Sequence, residues 1–155
     1  YPIKNIIGAI FLTEKKKFLN IKMFDENFFF YWEDVDISNR IQKSKYKIYI
    51  NHNSKAVHTW SSTKFNFRTF YVKETNFKYG ELFYQYKNNK LKYIKILRQP
   101  FTLFFRSLLY LILLNPKKSL SNLFRIYGII KFIIINLIIK RYVTNNSKFT
   151  QKKDF

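Results

Sequence analysis

The sequence predicts a mixed α/β opening section followed by basic, apolar helices. Three observations carry that reading. Residues 1 to about 60 alternate short β-like runs with one helix-like stretch, the pattern of an α/β arrangement. Two long apolar segments, Phe101 to Leu114 and Leu123 to Ile139, close the chain. The charge is skewed: residues 1 to 60 hold ten Lys/Arg against six Asp/Glu, and residues 61 to 155 hold nineteen against three. With 155 residues, 47% of them hydrophobic, the chain has material for about one domain with a real core.

The first element expected is a buried strand at Ile6 to Leu12, an apolar run between Asn5 and the charged turn Thr13 to Lys17. The apolar pattern starts at once, with Ile3, Ile6, Ile7, Ile10 and Phe11 behind a first residue that is tyrosine, so the chain reads as a piece of a longer protein cut at its N-terminal side. Asp34 to Lys43 reads as a helix. Val35, Ile37 and Ile41 are its packing residues, Asp36 and Arg40 are spaced for an ion pair, and carboxylates at its start suit the helix dipole. Lys47 to Ile50 and Ala56 to His58 read as strand pieces on either side of an Asn51-His52-Asn53-Ser54 turn. These runs make up a first part, 1–60.

A second part, 61–98, is a basic aromatic extension expected to be helical over Phe67 to Gln85. The third, 99–155, is a hydrophobic and basic helical tail. Pro116 breaks its two apolar segments, with Ser121 or Asn122 placed to cap the second. Both segments are short of the roughly 20 apolar residues that span a bilayer, and they carry Arg106, Arg125 and Lys131. On a helical wheel Arg125, Gly128, Lys131, Asn136 and Lys140 share one half and the isoleucines the other. That is the form of an interfacial helix with its basic side at the headgroups; the alternative is that these helices pack on protein.

Part of the net charge of +20 follows from a lysine-, isoleucine- and asparagine-rich composition with two alanines and three glycines, as an A/T-rich genome would write. The skew towards the C-terminal part still suggests an anionic partner. Cysteine is absent, which excludes disulfide scaffolds and thiolate metal sites.

The stretch richest in chemistry is Phe24 to Asp36, which packs five of the nine acidic residues among six aromatics. Aromatic side chains beside Glu33 and Asp34 can shed water and tune a carboxylate for proton transfer. An acidic cluster that caps the amides of a helix start explains the same residues without chemistry.

The ordered set Gly8-Ala9 after a hydrophobic run, Phe24-Asp25-Glu26, Phe28-Phe29, Tyr31, Glu33-Asp34-Val35-Asp36, Arg40, Tyr46-Lys47-Ile48, Ala56-Val57-His58 and serines at 61 and 62 resembles the second half of family 2 glycosyltransferases, most closely their rhamnosyltransferase-like branch. The resemblance covers residues 1 to about 85. It implies the C-terminal half of a GT-A fold and inverting transfer from a nucleotide-sugar, a dTDP- or UDP-sugar, to a glycan or lipid-linked acceptor in surface polysaccharide synthesis. It also implies a divalent metal, Mn²⁺ or Mg²⁺, and a cytoplasmic place at the inner face of the plasma membrane, with the membrane surface as partner and no nucleic acid. Residue by residue, Asp34 falls on the catalytic base and Glu33 on its neighbour that places the acceptor. Trp32, Tyr31, Asp36 and Arg40 fall around the acceptor, and His58 falls on the metal-ligating histidine. The donor-binding half and its Asp-x-Asp motif belong to the family's N-terminal half, so these 155 residues are expected to be inactive alone.

Two departures accompany the resemblance. Lys22-Met23 stands where relatives carry a glycine pair, and Lys45 where a glycine follows the Arg-bearing helix; lysine in a positive-φ turn costs about 1 kcal/mol. His58 alone at a strand end has a structural alternative, and Trp32 and Phe30 serve either as core and pocket wall or as a platform for a sugar face. From a different class, a non-catalytic basic protein that binds membrane or nucleic acid through residues 61 to 155 is the rival reading.

Overall fold

A computed structural model describes residues 2–6, 8, 10–57 and 65–139. His58, Ser61, Ser62 and residues 140–155 lie outside the described residues. The chain forms two units divided between Phe67 and Arg68, so the basic extension and the apolar tail fall in one unit. Helix predominates.

In the first unit, β1 (Pro2–Ile3) pairs antiparallel with β2 (Ile48–Tyr49), Pro2 opposite Tyr49 and Ile3 opposite Ile48. Two helices accompany them, α1 (Lys15–Asn20) and α2 (Glu33–Gln42). The helix expected from Asp34 is therefore present one residue early, and β2 lies inside the expected Lys47 to Ile50 piece. Asn51 builds the expected turn by accepting the Asn53 N–H on Oδ1 at 3.0 Å. Ala56 and Val57 take no strand.

The strand expected at Ile6 to Leu12 does not form in the described residues. Ile10 and Leu12 are exposed, Leu12 almost fully at 99%. A buried strand needs ladder partners on both edges, and the single ladder among the described residues is β1 with β2. The chain before it instead lies along α2. Lys4 O accepts from Gln42 Nε2 at 2.6 Å, Ile6 N–H donates to Ser38 Oγ at 3.0 Å, and Gly8 N–H donates to Asp34 Oδ2 at 3.3 Å. Residues 34, 38 and 42 stand on one helix face about 6 Å apart, and alternate residues of an extended chain advance by nearly the same distance. The two repeats match, and the segment runs antiparallel to α2.

Three helix ends follow one pattern. After α1 the Lys22 and Met23 N–H groups donate to Leu19 O (2.9 Å) and Phe18 O (3.0 Å), with Lys22 at φ 63. The same paired closure ends α3 (Phe67–Lys87) at Asn89 (φ 55) and α4 (Tyr93–Ile112) at Leu114 (φ 52). This is the Schellman closure, whose left-handed position favours glycine. Asn tolerates it; Lys and Leu are strained there. The strain anticipated at Lys22-Met23 is thus present, Met23 also having φ 48, whereas Lys45 is not in the left-handed region. Lys22→Gly should raise the unfolding free energy of the first unit by about 0.5–1 kcal/mol, the strain relieved less the entropy glycine adds to the unfolded chain. Chemical denaturation checks it, and an unchanged or lowered midpoint would refute the strain.

The second unit holds α3, α4 and α5 (Pro116–Phe132), the last continued by a π-helical segment, Ile133–Ile139. Pro116 is at the first helical position, where its missing N–H costs nothing. The cap is Asn115, which accepts the Lys118 N–H at 3.2 Å. Ser121 and Asn122, expected as caps, lie inside the helix because Asn115 and Pro116 start it a turn and a half earlier. Asn122 is buried, and Ser121 Oγ donates to Glu74 Oε2 at 2.7 Å.

The core of this unit is Leu82, Phe83, Ile129 and Phe132, with the Tyr79 and Phe132 rings edge to face at 6.2 Å. Gly128 brings α5 against α3: a Cβ built there would stand 2.5 Å from Thr75 O. Of the polar half that the wheel reading gives α5, Arg125, Gly128, Lys131 and Asn136 face α3, Lys140 lying outside the described residues, and Ile129 of the apolar half is buried with them. Arg125 Nε lies 2.7 Å from Glu74 Oε2 and Lys131 Nζ 3.3 Å from Asn76 Oδ1. Lys78 and Lys95 flank Glu81 at 2.7 and 3.5 Å. Burial works against charge on Glu81, but the Lys78 hydrogen bond and both ammonium groups outweigh it and hold the carboxyl below its ordinary value.

Candidate functional site

The aromatic-acidic stretch folds as a turn, an irregular aromatic run and a helix start. Asp25 opens it, its Oδ1 accepting the Asn27 N–H at 3.0 Å and its O accepting the Phe28 N–H at 3.0 Å. The aromatics then divide. Phe28 is buried, Phe24 joins Phe11 and Phe18 in a ring cluster with centroids 5.5 to 6.1 Å apart, and Phe29, Phe30 and Tyr31 face outward. Tyr31 (φ 67) and Trp32 (φ 74) are both left-handed, a conformation that costs a bulky residue about 1–2 kcal/mol. Those two residues reverse the chain so that Trp32 O accepts the Asp36 N–H at 2.9 Å and α2 begins. Local strain of this kind recurs where side chains are aimed at a ligand.

Glu33 and Asp34 are the first two residues of α2, where the positive end of the helix dipole favours carboxylates. Asp34 Oδ1 accepts the Val35 N–H at 2.8 Å and Oδ2 accepts the Gly8 N–H at 3.3 Å. Two backbone amides thereby fix its plane. Gly8 sits close over it, since a Cβ there would meet Asp34 Cβ at 3.4 Å. Glu33 Oε2 is buried without a hydrogen-bond partner among the described residues. Neither carboxylate has a cation partner there, whereas Glu14, Asp36, Glu74 and Glu81 each pair with lysine or arginine. The capping explanation covers one bond, that of Asp34 to Val35; Glu33 caps nothing.

Asp36 and Arg40 turn the other way. Asp36 is 1% exposed, and its Oδ2 lies 2.9 Å from Arg40 Nε. The guanidinium also donates to Ile21 O and, at 2.6 Å, to Met23 O, so it holds the strained turn after α1. Tyr31 and Trp32 are thus brought beside Glu33 and Asp34, while Asp36 and Arg40 form a buried brace beneath them. The sequence reading missed Ser38 and Gln42, which carry the extended segment with Gly8 onto Asp34. Their step of four from Asp34 was the available signal.

No group of three His, Asp or Glu side chains gathers among the described residues as a cation site would. His58, the metal ligand that the resemblance implies, lies outside them. An open cleft lined by Lys17, Lys45, Lys47 and Tyr49 lies on the first unit but includes neither Glu33 nor Asp34. Comparison with protein families, with curated proteins and with solved structures found no match to this chain.

Proposed function

We propose that the first unit is the acceptor side of an inverting glycosyltransferase, with Asp34 as its general base. One observation carries the reading. In a chain of net charge +20, Glu33 and Asp34 stand side by side at an aromatic-rimmed helix start with no cation partner among the described residues. A carboxylate engaged by lysine or arginine is a poor proton acceptor; one held only by backbone amides keeps its second lone pairs for a substrate.

The chemistry is a single displacement. The acceptor hydroxyl oxygen attacks the anomeric carbon, the hydroxyl proton passes to Asp34, and the nucleoside diphosphate departs with inversion. Glu33 accepts a second hydrogen bond from the acceptor and orients it. Tyr31 and Trp32 present faces on which a pyranose ring can stack. Asp36 and Arg40 act through the turn they hold. The donor (a dTDP- or UDP-sugar), the divalent ion with His58 as its ligand from this chain, the surface-glycan acceptor and the cytoplasmic membrane-side location rest on the resemblance of residues 1 to 85. Mn²⁺ or Mg²⁺ would neutralise the departing diphosphate.

In the protein carrying both halves of the catalytic domain, assayed with dTDP- and UDP-sugars and a glycolipid extract, Asp34→Asn should lower transfer roughly 10²-fold or more with donor binding little changed. Near-wild-type turnover in that variant rules out Asp34 as the base. The non-catalytic reading draws on the second unit, whose surface is basic and apolar; it predicts no sugar-dependent turnover in the wild type with any nucleotide-sugar.

A further inference from the structure

The second unit buries several polar side chains beside its apolar core and leaves large apolar side chains outside. Ser107 and Ser119 hydroxyls meet at 2.7 Å in the buried contact of α4 with α5, and Asn76, Asn122 and Asn136 are buried as well. Outward, Leu123, Tyr127, Ile130, Ile134 and Ile138 form an exposed stripe along α5 and its π-helical continuation. On α4, Leu97, Phe101, Phe104, Phe105, Leu108 and Leu109 form a broad exposed arc, Phe101 at 68% and Phe105 at 66%, with exposed Arg98 among them near the N-terminal end, where its long side chain can reach the headgroups.

The charge pattern is one-sided as well. From residue 82 to residue 153 there are fifteen lysines and arginines and no acidic residue. Lys92, Lys95, Gln99, Thr102 and Arg106 recur at steps of three and four, which sets them on one flank of α4 next to the apolar arc. Lys92 and Arg106 are exposed.

Pro116–Ile139 is 24 residues long with mean hydropathy 1.8, 28% of its apolar window being buried, which meets the length and composition of a membrane span. Its companions oppose spanning. Arg125 and Lys131 are tied to Glu74 and Asn76 of α3, a helix that also carries Arg68, Lys73, Glu81 and Lys87. Arg106 lies in the middle of α4, where a spanning helix would put it at the costly centre of the bilayer.

We infer that the second unit lies in the plane of an anionic lipid bilayer, with the α4 arc in the acyl boundary and Lys92 and Arg106 at the lipid phosphates, while Lys95, Arg125 and Lys131 bind α3 instead of headgroups. An interfacial helix requires an apolar face and an adjoining cationic one; α4 supplies both, and α5 has spent its cations on protein. The inference is independent of the transfer chemistry, since partitioning is read without catalysis.

The test is partitioning of the full chain onto phosphatidylcholine vesicles with and without phosphatidylglycerol. Wild type should prefer the anionic vesicles. Phe101→Gln with Phe105→Gln should lower partitioning roughly 30-fold on both kinds. Lys92→Gln with Arg106→Gln should lower it roughly 30-fold on the anionic vesicles alone, and Arg125→Gln should leave it unchanged. Leu97→Gln, on the same arc, replaces the phenylalanine pair if circular dichroism finds that variant unfolded. If the arc variants partition as wild type does, or if they convert an oligomer to monomer in sedimentation while vesicle binding persists, the arc is covered by protein and the inference fails. A tenfold loss from Arg125→Gln would overturn the assignment of the headgroup contacts to α4.

Discussion

Arg40→Ala should destabilise the first unit by about 3–5 kcal/mol, the range for removing one partner of a buried ion pair. The argument rests on burial. Asp36 is 1% exposed and Arg40 19%, so water cannot replace the guanidinium beside Oδ2. The same side chain also satisfies Ile21 O and Met23 O across a turn with two left-handed non-glycine residues, and its loss removes what compensates their strain. Urea denaturation followed by tryptophan fluorescence measures it, because Trp32 is the N-cap of the helix that carries Arg40. Arg40→Met with Asp36→Leu removes both charges and should recover much of the loss. A change below 1 kcal/mol for Arg40→Ala would mean that the brace does not hold.

Gly128→Val should cost about 2–4 kcal/mol and separate α3 from α5. Two terms oppose each other. Valine is a better helix former than glycine by a few tenths of a kcal/mol. Against that, its Cβ would fall 2.5 Å from Thr75 O and 3.1 Å from Lys78 Cβ, and the first of these is backbone that cannot rotate away. Overpacking of a close helix contact wins by several-fold. Thermal unfolding of the variant should be compared with Ile138→Ala, whose exposed side chain should matter by less than about 1 kcal/mol. Equal midpoints would mean that the α3–α5 contact is not close-packed.

Elements with a strong local signal were legible in the chain. The helix of Asp34 to Lys43, the long helix from Phe67, the Asn51 turn and the break at Pro116 all stand where spacing, turn chemistry and proline geometry put them, whereas the cap expected at Ser121 or Asn122 is Asn115. The Asp36–Arg40 pair was readable from its i, i+4 spacing. The strand at Ile6 to Leu12 was not, because an apolar run says that a segment can be buried and not which partner buries it.

The sequence by itself determined the acidic-aromatic entrance to α2 and the polar and apolar halves of α5, since each follows from residue type and helical period, whereas the strained turn at Lys22-Met23 was expected only through the family resemblance. Tertiary structure alone decided which way those halves face. Glu74 and Asn76 are some fifty residues from Arg125 and Lys131, and only packing brings them together, which turns the basic half inward, buries Ile129 beside it and leaves Ile130, Ile134 and Ile138 outside. It likewise decided that Asp34 has no lysine or arginine partner among the described residues while Asp36, two residues on, is buried against Arg40. Neighbours on a helix point about 200° apart after two residues, and among the described residues the fold put a cation on only one of those sides.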